Sequence, residues 1–174
     1  MEVRRQYSPS HVARRSRGVV VAHGSQLQLG DLAGCYTGTL LGLKEREAKR
    51  VTGFEAYVFP VNATHVVDPT DDRGQVPTDT EHEMAFVNEP TGEAMPNLTP
   101  MEYRFGLCRD RHGRPGVPYY AVRQVLPGEE LTVCYGPGFM RTYKTVCSES
   151  ALVGRWTELQ ERLLRPLLIL RTPN

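Results

Sequence analysis

The chain has 174 residues, of which 40% are hydrophobic and 24% charged, and its formal net charge is +1. That length suffices for one domain with a real core, and so small a net charge excludes a global field that would draw nucleic acid or a membrane. No apolar run is long enough to span a bilayer, and Met1-Glu2-Val3-Arg4-Arg5-Gln6 lacks the apolar stretch of a signal peptide.

Sixteen glycines and thirteen prolines predict many short elements joined by turns. Cys35, Cys108, Cys134 and Cys147 are widely spaced with no CxxC pair, a pattern that predicts reduced intracellular thiols rather than a disulfide scaffold or a zinc cluster.

Residues 1–17 carry Arg4, Arg5, Arg14, Arg15 and Arg17 against Glu2. They read as a frayed, solvated arm, with contact to nucleic acid or an acidic partner as the alternative. The β-branched run at 18–22 predicts a strand, and 32–36 a second one after the turn at Gln28-Leu29-Gly30-Asp31. Leu43 to Arg50 is charged, with Glu45 and Lys49 four apart, and predicts a short surface helix. Residues 55–61 and 64–68 flank Asn62-Ala63 as a hairpin would. Between Asp68 and Glu93 there are eight acidic residues against Arg73, so this loop is a solvated face or a surface for a basic peptide.

Further on, Tyr103, Phe105 and Leu107 alternate as one face of a strand, and residues 119–125 form its return. Gly128-Glu129-Glu130-Leu131-Thr132-Val133-Cys134-Tyr135-Gly136 opens with a turn at Pro127-Gly128 and predicts a strand that delivers a phenol to its end. Beyond Ser148 or Ser150, the spacing of Leu152, Trp156, Leu159, Leu163 and Leu167 predicts an amphipathic helix that Pro166 bends or ends. The whole is mainly β, and no Gly-rich phosphate loop is present.

Three groups of segments carry a resemblance when taken in order. The first is 18–22 with Tyr36-Thr37-Gly38. The second is Tyr57-Val58-Phe59, then Phe86-Val87-Asn88-Glu89-Pro90 and Pro96-Asn97. The third is 120–125 with Gly128-Glu129-Glu130-Leu131-Thr132 and Tyr135-Gly136. Together they resemble the SET-domain protein lysine methyltransferases over residues 17–138.

The resemblance implies a SET-domain fold of several small β-sheets with a pseudoknot between the Asn88 and Tyr135 segments. It sets a basic N-terminal arm at 1–16, the SET domain at 17–138 and a C-terminal helical flank at 139–174 packing on it. It implies S-adenosyl-L-methionine as cofactor, held by Arg17, Gly18, Val19, Tyr36, Phe86, Asn88, Glu89 and Tyr135. Tyr135 and Tyr57 match the catalytic tyrosines, and the substrate channel would be lined by Tyr57, Tyr120, Val133 and Tyr143. The implied substrate is a lysine in a basic protein tail, most commonly histone, which would make the protein nuclear or chromatin-associated. The family's zinc-binding flanks are missing, so no metal is expected.

The chemistry fits those residue types. Methyl transfer to an amine needs a neutral lysine in close, collinear approach with little water. A free lysine titrates near ~10.4, and an apolar channel beside a cation disfavours its ammonium. A tyrosine hydroxyl then aims the lone pair. The chain departs from the family pattern at Ser16, at Ala85, at Glu89 (where the family has His) and at Cys134. Those at Ser16, Ala85 and Glu89 motivate the alternative of a SET-like binding module without catalysis.

Overall fold

The computed structural model describes residues 2–6, 16–50, 57–77, 80–101, 105–136 and 139–148. The predicted C-terminal amphipathic helix and Trp156 lie outside the described residues, as does Tyr103.

Strand β1 (Glu2–Gln6) pairs antiparallel with β2 (Ser16–Val20). Part of the arm predicted to be frayed is therefore strand. Pairing uses main-chain groups, which an Arg-rich sequence supplies as well as any other. Next come β3 (Leu32–Thr37), β4 (Thr39–Gly42), helix α1 (Leu43–Arg50), β5 (Phe59–Pro60) and β6 (His65–Asp68). A 3-10 helix at Thr80–Phe86 precedes β7 (Leu98–Pro100), β8 (Cys108–Arg109) and β9 (Pro115–Ala121). One sheet runs β3-β9-β7 with β8 also on β9, and another runs β4-β6-β5. The architecture is mainly β, as expected.

The fold divides into two compact units. Unit 1 holds Met1–Ala33, Val87–Thr99 and Tyr120–Asn174, and unit 2 holds Gly34–Phe86 and Pro100–Tyr119. The buried side chains of unit 1 include Val19, Leu98, Val125, Leu131 and Val133, and those of unit 2 include Val67, Met101 and Val117.

In unit 2, the predicted helix stands at Leu43–Arg50. The Glu45 carboxylate reaches back to accept the Gly42 N–H at 2.8 Å, half of a capping box. Lys49 Nζ lies 2.8 Å from Asp68 Oδ2, and Asp68 is buried with its other oxygen accepting the Thr70 N–H and hydroxyl. The hairpin around Asn62-Ala63 forms with Phe59 opposite Val67. Its bend is organised by Asn62 Oδ1, which accepts the N–H groups of Thr64 and His65, the local bonding that suits asparagine to turns.

Gly38, the last residue of the Tyr-x-Gly, has a steric reason. A Cβ there would come within 2.3 Å of the Asp68 carbonyl oxygen and 2.7 Å of Pro69 N. Both are backbone and cannot swing away. Gly38→Ala is therefore expected to destabilise the protein by at least about 1–3 kcal/mol, the usual cost of overpacking. An unchanged urea midpoint would contradict the close approach.

The second predicted hairpin forms with a shifted register. Phe105 and Gly106 are turn, β8 is only Cys108–Arg109, and β9 begins at Pro115 rather than at Tyr119. Gly106 has φ of +84°, a left-handed conformation that ends any strand through it. The sequence Arg109-Asp110-Arg111-His112-Gly113-Arg114 makes the reversal, with Asp110 Oδ1 accepting the N–H groups of His112 and Arg114.

The cysteine expectation is overturned. Cys35–Cys108 and Cys134–Cys147 form disulfides, and none of the cysteines is free. Spacing along the chain did not show that the fold brings partners 73 and 13 residues apart to Cα separations of 6.0 and 5.3 Å, inside the range a disulfide spans. Gly116, the strand partner of Cys108, makes room for the first. A Cβ on Gly116 would sit 2.5 Å from Cys35 Sγ.

Candidate functional site

The predicted strand from Gly128 to Gly136 is extended but not a continuous ladder, because successive groups bond to different partners. Gly128, at φ of +82°, donates to Val21 O at 2.8 Å. Val21 donates to Glu129 O, and Leu131 donates to Val19 O at 2.7 Å. Past Leu131 the partners change. Thr132 N–H goes to Asn97 Oδ1 at 2.8 Å, and the Asn97 side-chain amide donates to Glu130 O at 2.8 Å. Thr132 O accepts from Asn97 and Leu98, and Val133 N–H goes to Asn88 O at 3.0 Å. Asn97 is 2% exposed, so its side chain is a buried clasp that joins the Pro-Asn motif to the Gly-Glu-Glu motif.

The turn itself is held by charge. Glu129 accepts two bonds from the Arg123 guanidinium, at 2.9 and 3.2 Å, and one from Leu126 N–H. The Arg123 bond lowers the Glu129 carboxyl from its ordinary value, with the Leu126 N–H adding to it. A depressed carboxyl contributes stability that is present above its unfolded value and is lost as pH falls through its folded value. Glu129→Gln is expected to cost up to about 1 kcal/mol at pH 7, as for a pair near the surface. The difference should vanish once pH falls below the lowered Glu129 value, which urea denaturation at several pH values would check.

Tyr135 follows directly. Its hydroxyl donates to Val87 O at 3.0 Å and its N–H to Glu89 Oε1 at 2.8 Å. Its ring meets Phe139 edge-on at 4.7 Å between centroids. Glu89 is fully buried at its side chain. It accepts from Arg141 Nε at 2.6 Å and Nη2 at 2.8 Å, and from the Tyr143 hydroxyl at 3.1 Å. Burial first, and then the Glu89 charge, push the Tyr143 phenol up to about 12.

A second cluster in unit 1 gathers Gly18, Asn88 and Glu130. Asn88 Nδ2 donates to Glu130 Oε1 at 2.8 Å. A Cβ on Gly18 would come within 2.6 Å of that oxygen and 3.4 Å of Asn88 Nδ2. The missing side chain lets the Glu130 carboxylate and the Asn88 amide pack directly against the Gly18 backbone.

The predicted site residues fall on both units. Unit 1 carries Arg17, Gly18, Val19, Asn88, Glu89, Tyr120, Val133, Tyr135 and Tyr143. Of these, Val19, Glu89 and Val133 are buried, Tyr120 is 9% exposed, and Tyr135 is 37% exposed. Arg17 sits in β2 opposite Arg5. Unit 2 carries Tyr36, Tyr57 and Phe86. Phe86 is buried at the end of the 3-10 helix. Tyr36 is buried, stacks at 6.0 Å on Tyr119 and tilts at 5.4 Å against Phe59. Its hydroxyl donates to the Tyr57 carbonyl oxygen, while the Tyr57 side chain is 38% exposed.

Sequence reasoning missed Arg141, for which no motif exists, and gave no role to Glu130, Asn97 or Phe139. Glu130 and Asn97 stood inside quoted motifs, so the signal was present there but its meaning was spatial.

No protein-family model matches the chain, and no curated protein matches it in sequence. Among solved structures it is similar to a chain of a humanised mutant of the Chaetomium thermophilum Polycomb Repressive Complex 2 bound to the inhibitor GSK126. The identity is 16% and the TM-score 0.51. The mainly β architecture of small antiparallel sheets is consistent with a small SET-like fold. The match covers 80% of this chain but only 15% of the other. At that identity the likeness is one of architecture, and function has to be argued from the residues.

Two ligand questions can be put to the SET-like fold. The amino-acid end of S-adenosylmethionine bears a carboxylate and an ammonium. An amide and a carboxylate are the chemistry such an end needs, and Asn88 and Glu130 supply both beside the Gly18 backbone; here they bond to each other at 2.8 Å. A metal is a different matter. Donor atoms of Glu89, Cys134 and Cys147 lie within 4.8 Å of one another, but the two sulfurs are bonded together and both Glu89 oxygens accept hydrogen bonds. Among the described residues, no helix is long and apolar enough to cross a membrane.

Proposed function

We propose that this chain is an S-adenosylmethionine-dependent protein lysine N-methyltransferase, with Tyr135 orienting the neutral lysine amine. The observation that carries the reading is the hydrogen-bonded junction of residues 87–98 with 130–135, which ends on a half-exposed tyrosine whose hydroxyl and amide are both held. The SET-like fold supports it.

When bound, S-adenosylmethionine supplies an electrophilic methyl group. Asn88 and Glu130 would hold its amino-acid end, beside the Gly18 backbone. The Tyr135 hydroxyl fixes the direction of the amine, since a phenol titrating near ~10 is a poor base at neutral pH. Tyr36, Tyr57 and Phe86 take their proposed roles in cofactor binding and the lysine channel from the resemblance, as do Tyr120 and Val133. The substrate class is a lysine in a basic segment, a histone tail foremost, for which the exposed carboxylates Asp71, Asp72 and Glu93 suit the charge, while Asp68 and Glu89 are buried in ion pairs. A histone substrate would place the protein in the nucleus, where disulfides are rare, so the Cys35–Cys108 and Cys134–Cys147 bridges weigh against that location.

Radiolabelled methyl transfer onto histones or a lysine-bearing lysate tests the reading, and label on lysine is the expected result. A second reading, a non-catalytic SET-like module, is favoured by the closed environment of Glu89, whose carboxylate is wholly taken up by this chain. Calorimetry separates the two: absence of S-adenosylmethionine binding would support the module.

A further inference from the structure

Three consecutive residues hold the end of the Tyr135 segment. Val87 O takes the phenol, Asn88 O takes the Val133 N–H, and the Glu89 carboxylate takes the Tyr135 N–H. The first two acceptors are backbone and fixed by the chain. The third is a side chain, and a single carboxylate could swing away. Arg141 prevents that. Its guanidinium reaches both Glu89 oxygens and also donates to Phe139 O at 2.9 Å and Gly136 O at 2.7 Å. It lies 5.6 Å over the Phe139 ring, whose neighbour is Tyr135 itself.

We propose that Glu89 and Arg141 act as one pair of positioning residues for Tyr135, fixing the direction of its phenol from behind. The proposal rests on the methyltransferase reading for its kinetic consequence, but not for its structural one.

The physical case is that the Arg141 side chain is only 9% exposed and Glu89 is 0% exposed. Two charges taken out of water hold each other in one geometry, and neither tolerates loss of its partner. The fork of Arg141 is bidentate, which fixes angle as well as distance. Gly136 has φ of +89°, and its carbonyl accepts the Phe139 N–H at 3.4 Å. The guanidinium bonds to Gly136 O and Phe139 O beyond Tyr135 and to Glu89 on the segment beside it. The Tyr143 hydroxyl, pushed up to about 12, remains a donor to Glu89 throughout the range in which a lysine amine loses its proton.

The test uses Arg141→Lys, which keeps the charge but not the fork, and Glu89→Gln, which keeps the shape and an acceptor. Hydrogen exchange is followed at two amides: Tyr135, bonded to Glu89, and Leu131, bonded to Val19 O. Exchange at Tyr135 is expected to rise by about tenfold or more in Arg141→Lys with Leu131 unchanged, because local opening is read separately from global opening. Equal acceleration at both amides, or none at either, overturns the proposal.

In methyl transfer, kcat should fall about 10- to 100-fold while KM for S-adenosylmethionine stays within about threefold, the signature of lost orientation rather than lost binding. The double variant Glu89→Gln/Arg141→Lys should be no worse than the worse single variant, since members of one unit are not additive. Additive losses would break the pair into two unrelated residues. A wild-type protein that transfers no methyl group would remove the methyltransferase reading, and the exchange measurement would still decide the pair.

Discussion

Tyr135→Phe is expected to lower methyl transfer by about a hundredfold or more, the scale set when a reacting group loses its aim, while the fold remains. The hydroxyl makes its described bond to a backbone carbonyl at the end of the segment, Val87 O at 3.0 Å. Losing one such bond costs about 1 kcal/mol, far less than a domain's stability. The ring contact with Phe139 and the N–H bond to Glu89 are untouched by the change. Melting temperature and transfer rate should therefore separate, with a small shift in the first and a large one in the second. The rate of the wild type should climb with pH as the substrate lysine, ordinarily near ~10.4, loses its proton. Tyr143 should add no break of its own below its value of about 12. Undiminished transfer by Tyr135→Phe would place the chemistry elsewhere in the molecule.

How much of this could be read from the chain differs by region. The helix Leu43–Arg50 was legible because its signal is local: charge spacing, a good cap and no breaker. The Asn62 hairpin was legible for the same reason. The Tyr135 segment was legible as a motif but not as an element. Its residues are β-prone, yet its partners change every two residues, from Val19 and Val21 to Asn97 and then to Asn88. Propensity reports how a backbone prefers to extend, not to whom it bonds. Glu89 shows the opposite case. The resemblance marked it as a cofactor position that departs from histidine, while the fold makes it the acceptor for four donor groups. Its partner Arg141 lies 52 residues away with no pattern to announce it. The cysteines failed for the same reason of distance: absence of a CxxC says nothing about pairs 73 and 13 residues apart.

Those pairs give the other large expected effect. In the chain-entropy account, closing 73 residues between Cys35 and Cys108 stabilises the fold by about 4 kcal/mol, and closing 13 between Cys134 and Cys147 by about 3 kcal/mol. Against a total of about 5–15 kcal/mol for a domain, loss of either should be plain in urea denaturation with and without a dithiol reductant. Paired serine variants should separate the two bridges by what else they change. Cys35→Ser/Cys108→Ser opens the packing beside Gly116 and Tyr36, within unit 2, and its effect should be mainly on stability. Cys134→Ser/Cys147→Ser releases the closed loop that carries Tyr135, Phe139, Arg141 and Tyr143. Its smaller loss of stability should come with a larger loss of methyl transfer, because the Arg141 contacts that hold Glu89 then rest on hydrogen bonds alone. Identical midpoints with and without reductant would mean that the bridges close nothing the fold does not already hold. Equal loss of transfer in both double variants would separate the loop closure from the aim of Tyr135.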